Sequence, residues 1–299
     1  MSLDIFLQQV CNGITLGSVY ALVAIGYTMV YGIMRLINFA HGSLFMMSMY
    51  FAFYAISFFV IPWYISFPLV AILTAVMGIA TERIAYYPLR RNGSPSTSIL
   101  ISAIGVSYFI ENFATVLFTG RQKLFPTIPF FTDIITIGAV RLQRMAIIVP
   151  LITFGLLVIL LFLLDKTRPG MAMRAVSRDA DAAQLMGIDV NTTISLTFGI
   201  GSALAAVGAL VWGMKYPQIA PTVGAMPGMK CFVSAVIGGI GNVKGAVIGG
   251  LLLGFVEVMI VAFFPALTSY RDAFAFCFLI VVLLVKPTGI VGEKIADKV

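Results

Sequence analysis

Two acidic side chains interrupt long apolar runs of this sequence. Only 10% of its 299 residues are Asp, Glu, Lys or Arg. Glu111 lies in SYFIENFATV (107–116), and Glu257 lies in LLLGFVEVMI (251–260). A carboxylate is costly in such surroundings, so its presence is a hypothesis of function. Each glutamate could bind an ammonium group, or could instead be hydrogen-bonded or protonated as a structural link between helices.

The residues that enzymatic chemistry requires are missing from the sequence. His41 is the only histidine, so neither a Ser-His-Asp arrangement nor a metal-ligand cluster is available. The glycine-rich run GGIGNVKG (238–245) has Gly245, not Ser or Thr, after Lys244, so it lacks the residue with which a phosphate-binding loop ends. We therefore expect no metal, no bound cofactor and no nucleotide site in this chain. Three cysteines without C-x-x-C spacing are expected to be inert packing residues: Cys11, Cys231 and Cys277.

The composition indicates which solvent surrounds the protein. Hydrophobic residues make up 60% of the chain before its 28 glycines are counted, whereas soluble domains have about 45–50% with glycine included. The excess indicates an all-α polytopic membrane protein, with helices that satisfy their own backbone hydrogen bonds in lipid. The net charge of +7 is explained by basic residues in short loops, so no nucleic-acid partner is expected. The first basic residue is Arg35, which argues against a cleaved signal peptide.

The apolar stretches predict eight transmembrane helices and one half-helix in a single transmembrane domain (1–299). A membrane span needs about 20 mostly apolar residues. Residues 229–239 are apolar but too few, and they run into the glycine-rich segment 238–250, which predicts a broken or re-entrant half-helix. The eight predicted spans are 5–30, 43–60, 64–82, 97–118, 145–165, 191–212, 243–264 and 270–286.

Loop charge predicts the orientation. With loops 83–96 and 166–190 and the C-terminal tail in the cytoplasm, ten basic residues lie there and six lie on the opposite side. The N-terminus is then outside the cytoplasm. INFAHGSLFMM (37–47) and IGNVKGAVIGG (240–250) share an Asn shortly before a Gly after an apolar run. They suggest a parallel internal duplication, in which both bends lie at the same depth.

One charged segment stands out between two apolar runs: DKTRPGMAMRAVSRDADAAQLMG (165–187). Pro169 suits the first turn of a helix and Gly187 suits the position after its end, so we predict a helix over 171–187. One of its faces would have small side chains that allow close approach to another protein. The alternative is an ordinary solvated loop. The predicted small face consists of Val176, Ala180 and Ala183, and another face consists of Arg174, Arg178, Asp181 and Leu185.

Several motifs resemble those of one transporter family. DAAQLMG (181–187) resembles the EAA-x-x-x-G motif of ATP-binding-cassette (ABC) importer permeases, with Asp181 in place of the usual Glu. The sequence resembles the branched-chain amino-acid permeases over nearly its whole length. The stretches that carry this resemblance are GYTMVYGIMRLINFAHGSLFMM (26–47), RPGMAMRAVSRDADAAQLMGIDV (168–190), GGIGNVKGAVIGG (238–250) and KPTGIVG (286–292).

The resemblance implies a function and a set of partners. It implies the permease subunit of a bacterial inner-membrane importer for leucine, isoleucine and valine. An extracytoplasmic binding protein would deliver the amino acid, a second homologous permease would complete the pathway, and two ATPase subunits would use ATP. Segment 166–190 would be the cytoplasmic coupling loop. The residues expected to couple to the ATPase are Arg174, Arg178, Asp181, Ala182, Ala183 and Gly187.

Other functions remain open at this stage. Related permeases carry urea or short-chain amides, and a stand-alone channel or secondary transporter would also explain broken helices and buried glutamates. The bends and the glutamates are the candidates for a substrate pathway, although helix packing is the alternative for most of them. These candidates are Asn38, His41, Gly42, Glu111, Gly241, Asn242 and Glu257.

Overall fold

The computed structural model describes residues 3–137 and 140–292, and its main elements are helices. In chain order these are α1 (Leu3–Met34), α2 (His41–Phe53), α3 (Trp63–Thr81), α4 (Tyr87–Arg91), α5 (Ser96–Phe118), α6 (Pro129–Thr132), α7 (Met145–Lys166), α8 (Arg168–Arg178), α9 (Ala180–Leu185), α10 (Val190–Lys215), α11 (Ala225–Gly238), α12 (Val243–Phe263) and α13 (Arg271–Val285). Short π-helical segments extend α2 and α3, at Tyr54–Phe58 and Glu82–Tyr86, and a 3-10 helix, Pro265–Tyr270, leads into α13. Lys294 and Lys298 of the predicted tail lie outside the described residues.

The helices confirm an all-α polytopic membrane protein. Within the described residues, seven helical stretches are long and apolar enough to cross a membrane, and they correspond to seven of the eight predicted spans. The remaining one, predicted at 43–60, is formed by α2 and its π-helical extension and is not among the seven. Helix α11 is short and apolar, as predicted for the half-helix. The exact number of crossings stays a prediction.

Helices α1 and α10 form the centre of the bundle. Helix α1 contacts α7, α10, α11 and α12, and α10 also contacts α2 and α3. Small residues along α1 let α12 approach closely: a Cβ atom added at Gly13 would lie 3.1 Å from the Cα of Phe255. Such close approach favours helix association in lipid, where hydrophobicity alone does not drive it.

The two short helices α2 and α11 begin next to each other inside the bundle. A Cβ atom at Gly42 would lie 2.8 Å from the carbonyl oxygen of Gly224, so glycine is required for this contact. His41, the first residue of α2, packs against Gly26 in the C-terminal half of α1. The N-termini of two helices therefore meet inside the bundle, and this arrangement positions the middle cavity described below.

Two groups of three helices, α1–α3 and α10–α12, pack against each other. Helix α1 packs against α12, α3 packs against α10, and α1 packs against α10. Helices α3 and α10 are antiparallel, because Glu82 meets Ser195 and Gly78 meets Ser202. Each group thus has one long helix (α1 or α10), one helix of about half that length (α2 or α11) and one further helix (α3 or α12). Their long helices run in opposite directions, since Gly26 lies against Gly201 whereas Tyr20 lies near Trp212.

Both Asn-containing bends lie beside the C-terminal part of α1. His41, at the first bend, packs against Gly26, and Gly241, at the second, packs near Gly32. The common depth of the two bends and the parallel duplication both stay predictions.

Two small antiparallel pairs of strands complete the described structure. Strand β1 (Lys123–Leu124) pairs with β4 (Gln218–Ile219), and β2 (Ile134–Ile137) pairs with β3 (Val140–Gln143). All four belong to connections that the charge distribution places outside the cytoplasm. The β1–β4 pair links the connection after α5 to the one after α10.

The charged segment forms two helices, so the prediction of one helix over 171–187 is wrong. Helix α8 has Pro169 in its first turn, as predicted, and ends at Arg178. Asp179 is extended, and its carboxylate accepts a hydrogen bond from Ala182 N at 3.0 Å as the N-cap of α9. A short acidic side chain favours this cap over continued helix. Gly187 follows α9 with φ +83°, which suits glycine, as predicted.

Candidate functional site

The coupling segment presents a different face outward from the one predicted. Ala183 is only 5% exposed, in a helix that contacts both α8 and α10. Val176 is buried as well, whereas Ala180 is exposed, so the three residues do not form one docking face. The small residues at 176 and 183 serve packing within this chain.

The outward surface of α9 is apolar at its end. Leu185 is 89% exposed and Met186 is 83% exposed. Among the predicted coupling residues, Arg178, Asp181, Ala182 and Gly187 are also exposed. We call Arg178, Asp181, Leu185 and Met186 the coupling surface. Met186 was not among the predicted residues, although two large apolar residues directly before a helix-ending glycine in a charged loop were a usable signal.

Arg174 is directed toward α7 instead of the coupling surface. Its Nη1 donates to Leu164 O at 2.5 Å and forms an ion pair with Asp165 at 2.9 Å. The side chain therefore ties α8 to the end of α7. At the other end of the segment, hydrogen bonds from the Thr192 side chain and backbone lower the pKa of the Asp189 carboxyl group, which caps α10.

An inner cavity of about 810 Å³ lies beside α8. It is lined by the end of α1, by α7 and by the turn between α11 and α12, and it includes the predicted residues Gly241 and Asn242. Asn242 is the N-cap of α12: its Oδ1 accepts from Gly245 N at 3.1 Å, and its Nδ2 donates to Val291 O at 3.3 Å. The charged side chains that line this cavity are Arg35, Asp165, Arg174 and Lys244.

A middle cavity of about 280 Å³ lies where α1, α2, α5 and α11 meet. It brings together two predicted residues, Gly42 and Glu111. Glu111 Oε1 accepts a hydrogen bond from Ser43 Oγ at 3.3 Å and lies 3.5 Å from Ser107 Oγ, and the two serine hydroxyls are 2.8 Å apart. Four large apolar side chains line the remaining wall: Phe39, Ile104, Met229 and Phe232.

Glu257 belongs to a buried network of charges. Its Oε2 accepts from Tyr20 OH at 2.9 Å, and its Oε1 lies 2.7 Å from Lys230 Nζ and 2.6 Å from Arg271 Nε. Lys230 Nζ also lies 2.6 Å from Asp272 Oδ1. Both carboxylate oxygens of Glu257 are thus engaged, as the structural alternative expected. The residue borders an outer cavity of about 420 Å³ together with Arg271.

Asn38 and His41 hold the first bend in place. Asn38 is buried, and its Oδ1 accepts from Tyr86 OH at 2.8 Å and from Ala40 N at 3.2 Å. His41 is buried with its ring centroid 4.5 Å from that of Tyr27. Neither lines the three cavities described here. These contacts fit the packing alternative for both residues.

Sequence reasoning missed a third glutamate inside the helical core. Glu82 is fully buried and lies 3.0 Å from Arg90 Nη2, and it accepts from Ser195 Oγ at 2.5 Å. It joins the π-helical end of α3 to α10. Its position at the last residue of a predicted span, with three arginines following nearby, was the available signal.

Comparison with known proteins identifies the family. The model of the family described as branched-chain amino acid transport system / permease component matches residues 9–283. The chain belongs to this permease family. No solved structure matches it significantly.

The permease is similar to several transport proteins, to some of them along nearly its whole length. It is 42% identical to the high-affinity branched-chain amino acid transport system permease protein BraD of Pseudomonas aeruginosa, over 98% of both chains. It is 40% identical to the corresponding protein LivH of Escherichia coli K12, again over 98% of both. A xylose transport system permease, XylH of Escherichia coli, is 26% identical over 54% of this chain and 46% of its own length. The relatives are transport subunits by name.

Proposed function

We propose that this permease is a membrane-spanning subunit of an ABC importer that translocates leucine, isoleucine and valine. An extracytoplasmic binding protein delivers the amino acid, and two separate ATPase subunits supply the energy. The observation that carries this proposal is the 40–42% identity to BraD and LivH over 98% of the chain. The bacterial inner membrane is the location that fits such an importer. A permease for urea or amides and a stand-alone channel are not favoured by these relatives.

A second homologous permease is proposed to cover α5. Glu111 is only half-buried, in the middle of this helix. Its neighbours on the helix, such as Tyr108 and Phe109, are largely exposed. A carboxylate facing lipid is costly, whereas one at a subunit interface or beside a water-filled path is not. We therefore infer that this face of α5 meets the partner permease.

The coupling surface is proposed to dock on the ATPase. Leu185 and Met186 are highly exposed in a segment that connects two membrane helices on the predicted cytoplasmic side. Neighbouring exposed apolar side chains outside lipid mark a protein contact. Movement of a docked α9 would reach α8 and α10 directly, since α9 contacts both, and α10 lies at the centre of the bundle.

Reconstitution tests the proposed function. The permease is co-expressed with a second permease and the ATPase subunits of a branched-chain amino-acid importer from the same organism, and the purified complex is placed in liposomes. We expect ATP-dependent uptake of labelled leucine that requires the binding protein, and no uptake with ADP. Transport of leucine by the permease alone, or ATP-driven transport of urea but not of leucine, would refute the proposal.

A further inference from the structure

We propose that the middle cavity binds the zwitterionic backbone of the transported amino acid, with Glu111 contacting its ammonium group and the N-termini of α2 and α11 facing its carboxylate. This inference rests on the proposed function, because it assumes an amino-acid cargo. It adds the place, the orientation and the residues of one binding step inside the permease.

Glu111 differs from Glu82 and Glu257 in having no cationic partner in the part of the chain that the structure describes. Glu82 is paired with Arg90, and Glu257 is paired with Lys230 and Arg271. Within residues 3–137 and 140–292, no Lys, Arg or His nitrogen lies within 4.0 Å of the Glu111 carboxylate.

The hydrogen bonds that Glu111 accepts in the described structure involve only one of its two carboxylate oxygens. In the same described part of the chain, its Oε2 accepts no hydrogen bond from the protein. A carboxylate in a membrane protein requires compensation by a proton or a cation. An ammonium group that enters the cavity supplies it.

The cavity wall formed by the beginnings of α2 and α11 suits the carboxylate of the amino acid. Gly42, Gly224, Ala225 and Gly228 line the cavity at the beginnings of α2 and α11. A helix N-terminus has a partial positive charge, and interrupted membrane helices use it to bind carboxylates. No lysine or arginine lines the cavity, so these helix ends are the only positive feature of its described lining.

The size of the middle cavity and its remaining lining indicate which amino-acid side chain it can hold. A volume of about 280 Å³ is close to the lower limit of small-molecule sites, about 300–1,000 Å³. Phe39, Ile104, Met229 and Phe232 offer apolar surface to a branched aliphatic side chain. A charged side chain would find no second ionic partner in this lining.

The test compares Glu111→Gln with a matched control on the same helix. Gln keeps an oxygen that can accept from Ser43 and Ser107, so a purely structural role predicts normal uptake. A contact with the ammonium group requires the charge, and a hydrogen bond to a charged group is worth enough to lower leucine uptake about tenfold or more when it is lost. The control is Thr97→Ala, because Thr97 is exposed in the first turn of α5, far from Glu111 along the helix, and is outside the cavity lining. We expect it to transport normally.

A second measurement detects the ligand itself. Ser107→Cys is introduced with Cys277, the exposed cysteine, replaced by Ser, and alkylation is followed in the assembled complex. We expect leucine to slow alkylation, and 2-hydroxy-4-methylpentanoate, which lacks the ammonium group, not to slow it.

The outcomes separate the inference from the proposed function. If the unmodified complex takes up leucine while Glu111→Gln transports equally well and leucine leaves alkylation unchanged, the binding site is refuted and the proposed function stands. If the unmodified complex does not transport leucine at all, both are refuted. Reduced uptake together with leucine protection supports the site, provided that Glu111→Gln copurifies with its partners as the control does.

Discussion

Replacing Leu185 by Asp should separate the permease from its ATPase without affecting its own fold. The side chain is 89% exposed, so no contact inside this chain is lost. Complete burial of a leucine side chain in an interface contributes about 1.5–3 kcal/mol. Its loss therefore weakens docking roughly 10- to 150-fold, and the carboxylate would add a desolvation cost.

The assay is copurification of the ATPase with a tagged permease, followed by leucine uptake. We expect Leu185→Asp to insert normally, to lose most of the bound ATPase and to lose uptake. The matched control is Leu124→Asp, since Leu124 is 72% exposed in β1, on the predicted opposite side of the membrane. Ala183→Trp is unsuitable, because the buried Ala183 would transmit the change to α10 of the same chain. Full ATPase recovery and uptake with Leu185→Asp would mean that the segment is an ordinary solvated loop.

Two further predictions concern the charge network and the topology. In a double-mutant cycle, Lys230→Met and Glu257→Gln should each lower the thermal unfolding temperature. The double variant should be more stable than the sum of the two single effects predicts, by about 0.5–3 kcal/mol. Additive effects would contradict the 2.7 Å ion pair. Cysteines placed at Leu185 and Leu124 should react with a membrane-impermeant reagent from the cytoplasmic and the opposite side, respectively, and labelling of both from one side would refute the predicted orientation.

Hydropathy predicts most of this fold because each long helix satisfies its own backbone in lipid. The spans at 97–118 and 145–165 differ from α5 and α7 by one residue at a single end. The prediction of a single helix over 171–187 is wrong for a local reason. The Asp179 carboxylate accepts from Ala182 N and so begins a new helix. That signal was readable in the sequence, but helical periodicity across the segment competed with it.

The charge network could not be predicted in the same way, because its members are distant in sequence. Lys230 falls at the start of the predicted half-helix (229–239), and its charge was counted with the basic residues outside the cytoplasm. In the structure it lies between Glu257 and Asp272, on two other helices. Apolar periodicity predicts that a helix exists and which length it has, but it does not determine which charged residue of another helix will face it. Tertiary packing decides this pairing.

The same limit explains why the sequence could not distinguish Glu111 from Glu257. Both lie within long apolar runs, and both could bind an ammonium group. The structure distinguishes them by their partners, because Glu257 is neutralised by Lys230 and Arg271 whereas Glu111 receives serine hydroxyls. A site that passes a substrate must bind it and then release it. An ammonium group would have to displace two cations to reach Glu257, but at Glu111 it meets a carboxylate without a cation, beside a cavity. Glu257 is therefore the glutamate suited to hold α11, α12 and α13 together, and Glu111 is the one suited to a transient contact.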